Sequence, residues 1–142
     1  MKKIFVCAVL AAMTAAVVFA QSPNDAATYV NRGNDYYNKG DYDRAIADYN
    51  QAIRLNTNYA EAYLNRGNAY YGKGEYDKAI ADYNQALRIN PNYANVYHNR
   101  GTAYYNKKDY TRARADWEKA LRLDPNNAVA RNNLEILRKQ GY

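Results

Sequence analysis

The sequence predicts an all-α protein: helical hairpins stacked side by side into a short α-solenoid. Two observations carry this. The stretch from Ala60 to Tyr93 is repeated at 24 of 34 positions by the stretch before it, and at 18 of 34 by the stretch after it. Three consecutive copies at a period of 34 mean one supersecondary unit stacked on itself. Each copy also divides into two helix-compatible stretches separated by a short turn, which in the first two copies contains glycine.

The chain has 142 residues, enough for one compact domain. Residues 1–20 are set apart from the rest. Lys2 and Lys3 precede an uncharged, mostly apolar run, closed by Val18-Phe19-Ala20. This is the pattern of a cleaved signal peptide, with Gln21 as the mature N-terminus. An uncleaved anchor is the competing reading, but the run is slightly short for a span of about 20 residues. Cys7, the one cysteine, falls inside the apolar run, so the mature chain is expected to hold no disulfide. Losing Lys2 and Lys3 lowers the formal charge from +6 by two. Export argues against nucleic acid as a partner and places the protein in a periplasm or outside the cell. The mild positive balance favours solubility and acidic surfaces.

Residues 21–25 form a polar lead in which Asn24 or Asp25 can cap a helix. Repeat 1 covers 26–59, repeat 2 covers 60–93 and repeat 3 covers 94–127. In repeat 2 the first helix is expected over about Glu61–Gly72 and the second over about Tyr76–Ile89. Gly40 and Gly74 suit the left-handed position after a helix, where Lys108 stands in repeat 3. Asp41, Glu75 and Asp109 open the second helices, where negative charge suits the dipole. Asn58 with Glu61 reads as a capping box. Pro91 and Pro125 terminate their helices. Residues 128–142 hold a capping helix with Ala130, Leu134 and Leu137 in one stripe and Arg131, Glu135, Arg138 and Lys139 toward water. Gly141-Tyr142 reads as a frayed end.

These marks resemble the tetratricopeptide repeat. They read Tyr29, Gly33, Tyr36, Ala45, Tyr49 and Ala52 in repeat 1. In repeat 2 they are Tyr63, Gly67, Tyr70, Ala79, Tyr83, Ala86 and Pro91. In repeat 3 they are Tyr97, Gly101, Tyr104, Ala113, Trp117, Ala120 and Pro125. The resemblance implies a right-handed superhelix whose concave face holds peptides. Small residues at Gly67 and Ala79 let the helices approach, and tyrosines fill the space beside them. Tyr42 and its equivalents belong with this packing set.

Arginine stands at Arg32, Arg66 and Arg100, where the resembled family usually has leucine. Aspartate precedes each second-helix aromatic at Asp48, Asp82 and Asp116. A largely buried guanidinium must be paired, so Arg–Asp pairs joining the two helices are expected in preference to an anion-binding site. The resemblance places Asn31, Asn65, Asn99, Asn34, Asn68 and Thr102 on the concave face, with Val30, Leu64, His98, Tyr37, Tyr71 and Tyr105. Asparagine both donates and accepts, so such a ladder can hold an extended backbone. Duplication of a solvated face explains the recurrence equally well. Among the tyrosines, Tyr37, Tyr71 and Tyr105 are the binding candidates.

His98 has no second histidine or cysteine beside it, so no metal site and no cofactor are expected. Thr102, one turn on, makes no nucleophile–base pair with it, and an enzyme is disfavoured. Members that grip a carboxylate tail use Lys, Arg and Asn; here Asn34 and Asn65 are present, but Val30, Asn95 and Asn99 stand at the basic places. The leading expectation is an exported, non-catalytic interaction module holding a peptide or helix of an envelope protein. The alternative is a self-associating structural protein of the envelope, packed through the exposed face of repeat 1.

Overall fold

The computed structural model describes residues 25–142; the expected signal peptide, its cleavage site and Asn24 lie outside the described residues. Seven helices follow in order: α1 (Ala26–Asn38), α2 (Tyr42–Leu55), α3 (Ala60–Gly72), α4 (Tyr76–Ile89), α5 (Ala94–Asn106), α6 (Tyr110–Leu123) and α7 (Ala128–Lys139). Consecutive helices pack as antiparallel neighbours, and the first helices of successive repeats also touch, α1 on α3 and α3 on α5. The result is a three-hairpin solenoid closed by α7. No described helix is long and apolar enough to cross a membrane.

Local chemistry sets the helix ends. Asp25, Asp41 and Asp109 accept hydrogen bonds from the backbone N–H three residues on, satisfying donors that no helical carbonyl can reach. Glu75 does not cap; its carboxylate pairs with Lys73 and Lys78 instead. The capping box expected at Asn58 does not form, because α3 starts at Ala60, one residue later than an Asn58 cap requires, and Tyr59 occupies the cap position. In the turn before it, the Asn58 backbone N–H donates to the Asn56 side chain at 3.1 Å. Gly40 and Gly74 take φ of +77° as required, and Lys108 accepts φ of +63° at a cost of about 1 kcal/mol.

The glycines inside the first helices are present for contact, not conformation. A Cβ on Gly67 would lie 2.7 Å from the Tyr83 ring, and one on Gly101 would lie 2.8 Å from the Trp117 ring. Tyr49 and Tyr83 are 1% exposed and Trp117 2%, so each hairpin is built around one buried aromatic laid across a glycine. Gly72 extends the rule between repeats, because a Cβ there would meet the Tyr42 ring at 2.7 Å.

The Arg–Asp combination forms within each hairpin. Arg66 donates from Nε and Nη2 to both oxygens of Asp82 at 2.8 and 2.7 Å, and Arg100–Asp116 and Arg32–Asp48 repeat the geometry. The burial differs from expectation: the aspartates are buried, while the guanidiniums lie nearer the surface. The third nitrogen ties repeats together, with Arg66 Nη1 on Asn50 and Arg100 Nη1 on Asn84, both at 2.7 Å.

At the C-terminal end Ala130 and Leu137 are fully buried, so α7 covers the last hairpin. The terminus is not frayed. Gly141 takes φ of +86°, Tyr142 N–H bonds the Leu137 carbonyl at 3.1 Å, and the Tyr142 ring sits 4.2 Å from that of Tyr110. The backbone closes α7 in a Schellman turn, and the aromatic contact holds the last residue down.

Candidate functional site

Three hollows run along the solenoid and share residues, so together they make one groove. The first, about 290 Å³, is lined by Asn34, Tyr37, Asn38, Tyr49, Glu61, Asn65 and Asn68. The second, about 220 Å³, lies between Tyr37 and Tyr71 over Asn68, Tyr83, His98, Asn99 and Thr102. The third, about 250 Å³, is formed by Tyr71, Thr102, Tyr105, Asn106 and Trp117 with Asn133 and Ile136 of α7. Tyr37 and Tyr71 are the walls between neighbouring hollows.

The asparagines prove to be a wired part of the frame. Asn34 Oδ1 accepts from the Tyr49 hydroxyl at 2.7 Å and from Asn65 Nδ2 at 3.0 Å. Asn68 Oδ1 does the same for Tyr83 and Asn99, at 2.8 and 2.9 Å. One amide oxygen therefore satisfies a buried phenol and links one repeat to the next. The other end of each amide remains, on residues that line the first two hollows: Asn34 and Asn68 Nδ2, and Asn65 and Asn99 Oδ1. These make no hydrogen bond among the described residues, leaving donors and acceptors in alternation.

Repeat 3 changes the set coherently. Trp117 replaces the tyrosine and has no hydroxyl to satisfy, and Thr102 replaces the asparagine that would have accepted it. The indole N–H and the Thr102 hydroxyl both donate to the His98 carbonyl, at 3.1 Å. The His98 ring lies in the second hollow with Nδ1 buried and unpartnered among the described residues, and burial pushes its pKa below the usual value. Burial likewise raises the Tyr49, Tyr83 and Tyr37 hydroxyls, so they remain protonated donors. Neutral imidazole, phenols and amides can bind and orient a ligand through hydrogen bonds. Among the described residues no group of three or more His, Cys, Asp or Glu could hold a metal.

Of the residues expected on the concave face, Asn34, Tyr37, Asn65, Asn68, Tyr71, His98, Asn99, Thr102 and Tyr105 line the hollows. Leu64 does not offer a binding surface: it is 7% exposed and belongs to the core, as does Val30 at 1%. An apolar chain at that register is drawn under the neighbouring helices, whereas the polar His98 stays half-buried. Asn31 is exposed and lines none of the three hollows; among the described residues no hairpin stands before α1 to supply the partner that Asn65 and Asn99 have. Sequence reasoning missed Glu61, Asn38, Asn106, Asn133 and Ile136, and treated Tyr49, Tyr83 and Trp117 as packing alone. For Ile136 the signal was present, since it stands off the Ala130–Leu134–Leu137 stripe of α7.

Comparisons with known proteins agree with the repeat architecture. A family model described as TPR repeat matches residues 33–74 and 67–108, and one described as tetratricopeptide repeat matches 94–127. The first TPR of Spaghetti (RPAP3), bound to the HSP90 peptide SRMEEVD, is 30% identical over 81% of this chain and 91% of that one, with a TM-score of 0.79. The Arabidopsis OM64 TPR domain is 31% identical over 81% and 95%, also at 0.79. MamA is 26% identical over 84% and 70%, again at 0.79. No curated protein matches the chain.

Proposed function

We propose a function from a premise that the matches establish: the chain belongs to the tetratricopeptide repeat family. It is an interaction module without catalysis of its own, holding an extended segment of another protein in the groove. The observation that carries this is the run of three hollows with alternating free amide donors and acceptors, separated by Tyr37 and Tyr71. Such a row suits a peptide backbone, and half-buried tyrosines suit its side chains. Similar solved domains support the reading: those of RPAP3 hold HSP90 and HSP70 peptides.

The occupant differs in charge from those acidic peptides. Glu61 is the one charged side chain among the residues lining the three hollows. A neutral or basic segment fits, with a cation near Glu61 and an apolar side chain near Ile136. The signal-like N-terminus supports export, and hence a partner in the cell envelope. Self-association through the face of repeat 1 has less support, because that face carries Thr28 and Asp35 where repeat 2 buries Ala62 and Ala69.

The test is capture from an envelope extract by the chain and by its Ile136→Glu and Glu61→Lys variants. Ile136 and Glu61 are exposed, so both variants should keep the fold. A genuine groove partner is retained by the parent chain and lost by both variants. Retention by all three would place binding elsewhere. Light scattering across concentration addresses the self-association reading, which a strict monomer removes.

A further inference from the structure

The junction between α6 and α7 is lined differently from the junctions between repeats. Where the first helix of an interior repeat joins the previous hairpin, tyrosine, arginine and tyrosine alternate along it. In α5 these are Tyr97, Arg100 and Tyr104, with the Arg100 guanidinium over both rings at 5.5 and 5.9 Å, and α4 contributes buried Ile80. At the same registers α7 has Arg131, Leu134 and Arg138, and α6 has Arg114 in place of isoleucine. Arginine and apolar positions have been exchanged. Three arginines and a leucine line the place where two rings flank a guanidinium in the interior repeat.

This exchange leaves an open cleft of about 570 Å³, lined by those four residues with Glu118, Glu135 and Tyr142. Arg131 is anchored by donating to the Pro125 carbonyl at 2.5 Å. Glu135 is taken by Lys139 at 2.8 Å. Arg114 and Arg138 make no ion pair among the described residues, and both are exposed. The cleft shares no residue with the groove. At 100° per residue, Arg131, Leu134, Glu135 and Arg138 project from the side of α7 opposite Asn133 and Ile136, so one helix separates the two.

We propose that this cleft is a second docking site, taking an acidic segment of a partner protein whose carboxylates are spaced along the chain. The guanidinium fork suits carboxylate, and Leu134 and Tyr142 offer apolar contact between the charges. Glu118 and Glu135 discriminate against a compact polyanion, whose charge could not avoid them. A solubilising end-cover needs only scattered charge; it does not need the apolar residues of the junction replaced by arginines around a cleft.

The test uses the full chain and a labelled peptide, Glu-Ala-Leu-Glu-Glu-Ala-Leu-Glu, read by fluorescence anisotropy at low and at physiological salt. Binding is expected and should weaken with salt, while the all-Gln counterpart should not bind. Arg114→Ile and Arg138→Tyr restore the interior residues at those registers, so both should fold. Each should weaken binding about tenfold. Ile136→Glu, on the groove side, should leave it unchanged, which separates failure here from failure of the groove reading. The proposal is overturned if the acidic peptide does not bind, if the arginine variants bind it equally, or if pyrophosphate displaces it at equal or lower concentration.

Discussion

The two ends of the stack meet one physical problem in opposite ways. A hairpin inside a solenoid presents apolar surface to its neighbour, so the end hairpins must hide or change it. The N-terminal end changes it in place: Thr28 and Asp35 stand where Ala62 and Ala69 are fully buried in repeat 2. Arg32, with no earlier hairpin to cover it among the described residues, has a side chain 56% exposed against 20% for Arg66 and Arg100. The C-terminal end keeps its junction and adds a helix, burying Ala130 and Leu137 completely. The first solution adds no helix among the described residues, where repeat 1 packs on repeat 2 alone. The second takes 15 residues and provides a further wall for the groove and a new surface on its other side.

The largest expected effect tests the added helix. Leu137→Ala removes a fully buried side chain at the C-terminal junction and should destabilise by about 3 kcal/mol, measured by denaturant unfolding. A loss as small as a surface substitution gives would mean that α7 is not integral to the fold. Next come the ion pairs. Asp82→Asn leaves Arg66 without its carboxylate inside the stack and should cost about 2 kcal/mol. Asp48→Asn should cost visibly less, because Arg32 can turn to water. Equal losses would contradict the difference between end and interior.

A smaller effect concerns His98, half-buried and neutral near the C-terminal half of the groove. Its pKa is lowered in the fold by burial, so the unfolded chain binds the proton first as pH falls. Stability is therefore full above the ordinary histidine value of about 6.5 and declines as pH drops through it toward the folded value. Melting temperature followed from pH 7.5 to 5 should fall, and His98→Leu, the residue of repeat 2 at that site, should remove this contribution. A slope unchanged in the variant would assign the pH dependence to other groups. The smallest effect is at the N-terminal end. Asp35→Ala should raise helix stability by about 0.5 kcal/mol while making the face of repeat 1 sticky. Sedimentation that stays monomeric at high concentration would show that Asp35 is not what keeps the end soluble.

Legibility followed the type of interaction. Helix ends and the turn glycines were readable because they depend on residues a few positions apart: α4 runs Tyr76–Ile89 as its periodicity predicts. The Arg–Asp pairs were readable as a combination, because both partners recur in every copy. Asn58 was misread because the helix begins one residue later than that cap requires, with Tyr59 at the cap position, and Tyr142 because its anchor, Tyr110, is far away in sequence. The asparagine ladder was ambiguous for a deeper reason. Asn34 and Asn68 each serve a buried tyrosine and a neighbouring repeat through one oxygen, so frame and binding surface are two ends of one amide.

Period, hairpin and the need to stack were present in the residues themselves, since they follow from periodicity and from an apolar face that one hairpin cannot bury alone. Which polar atoms remain free could not be, because that depends on what each side chain meets across a repeat boundary. The same holds for the groove wall formed by α7 and for the arginine-lined cleft behind it. Both exist only once the helices have been placed side by side, when distance in space replaces distance along the chain.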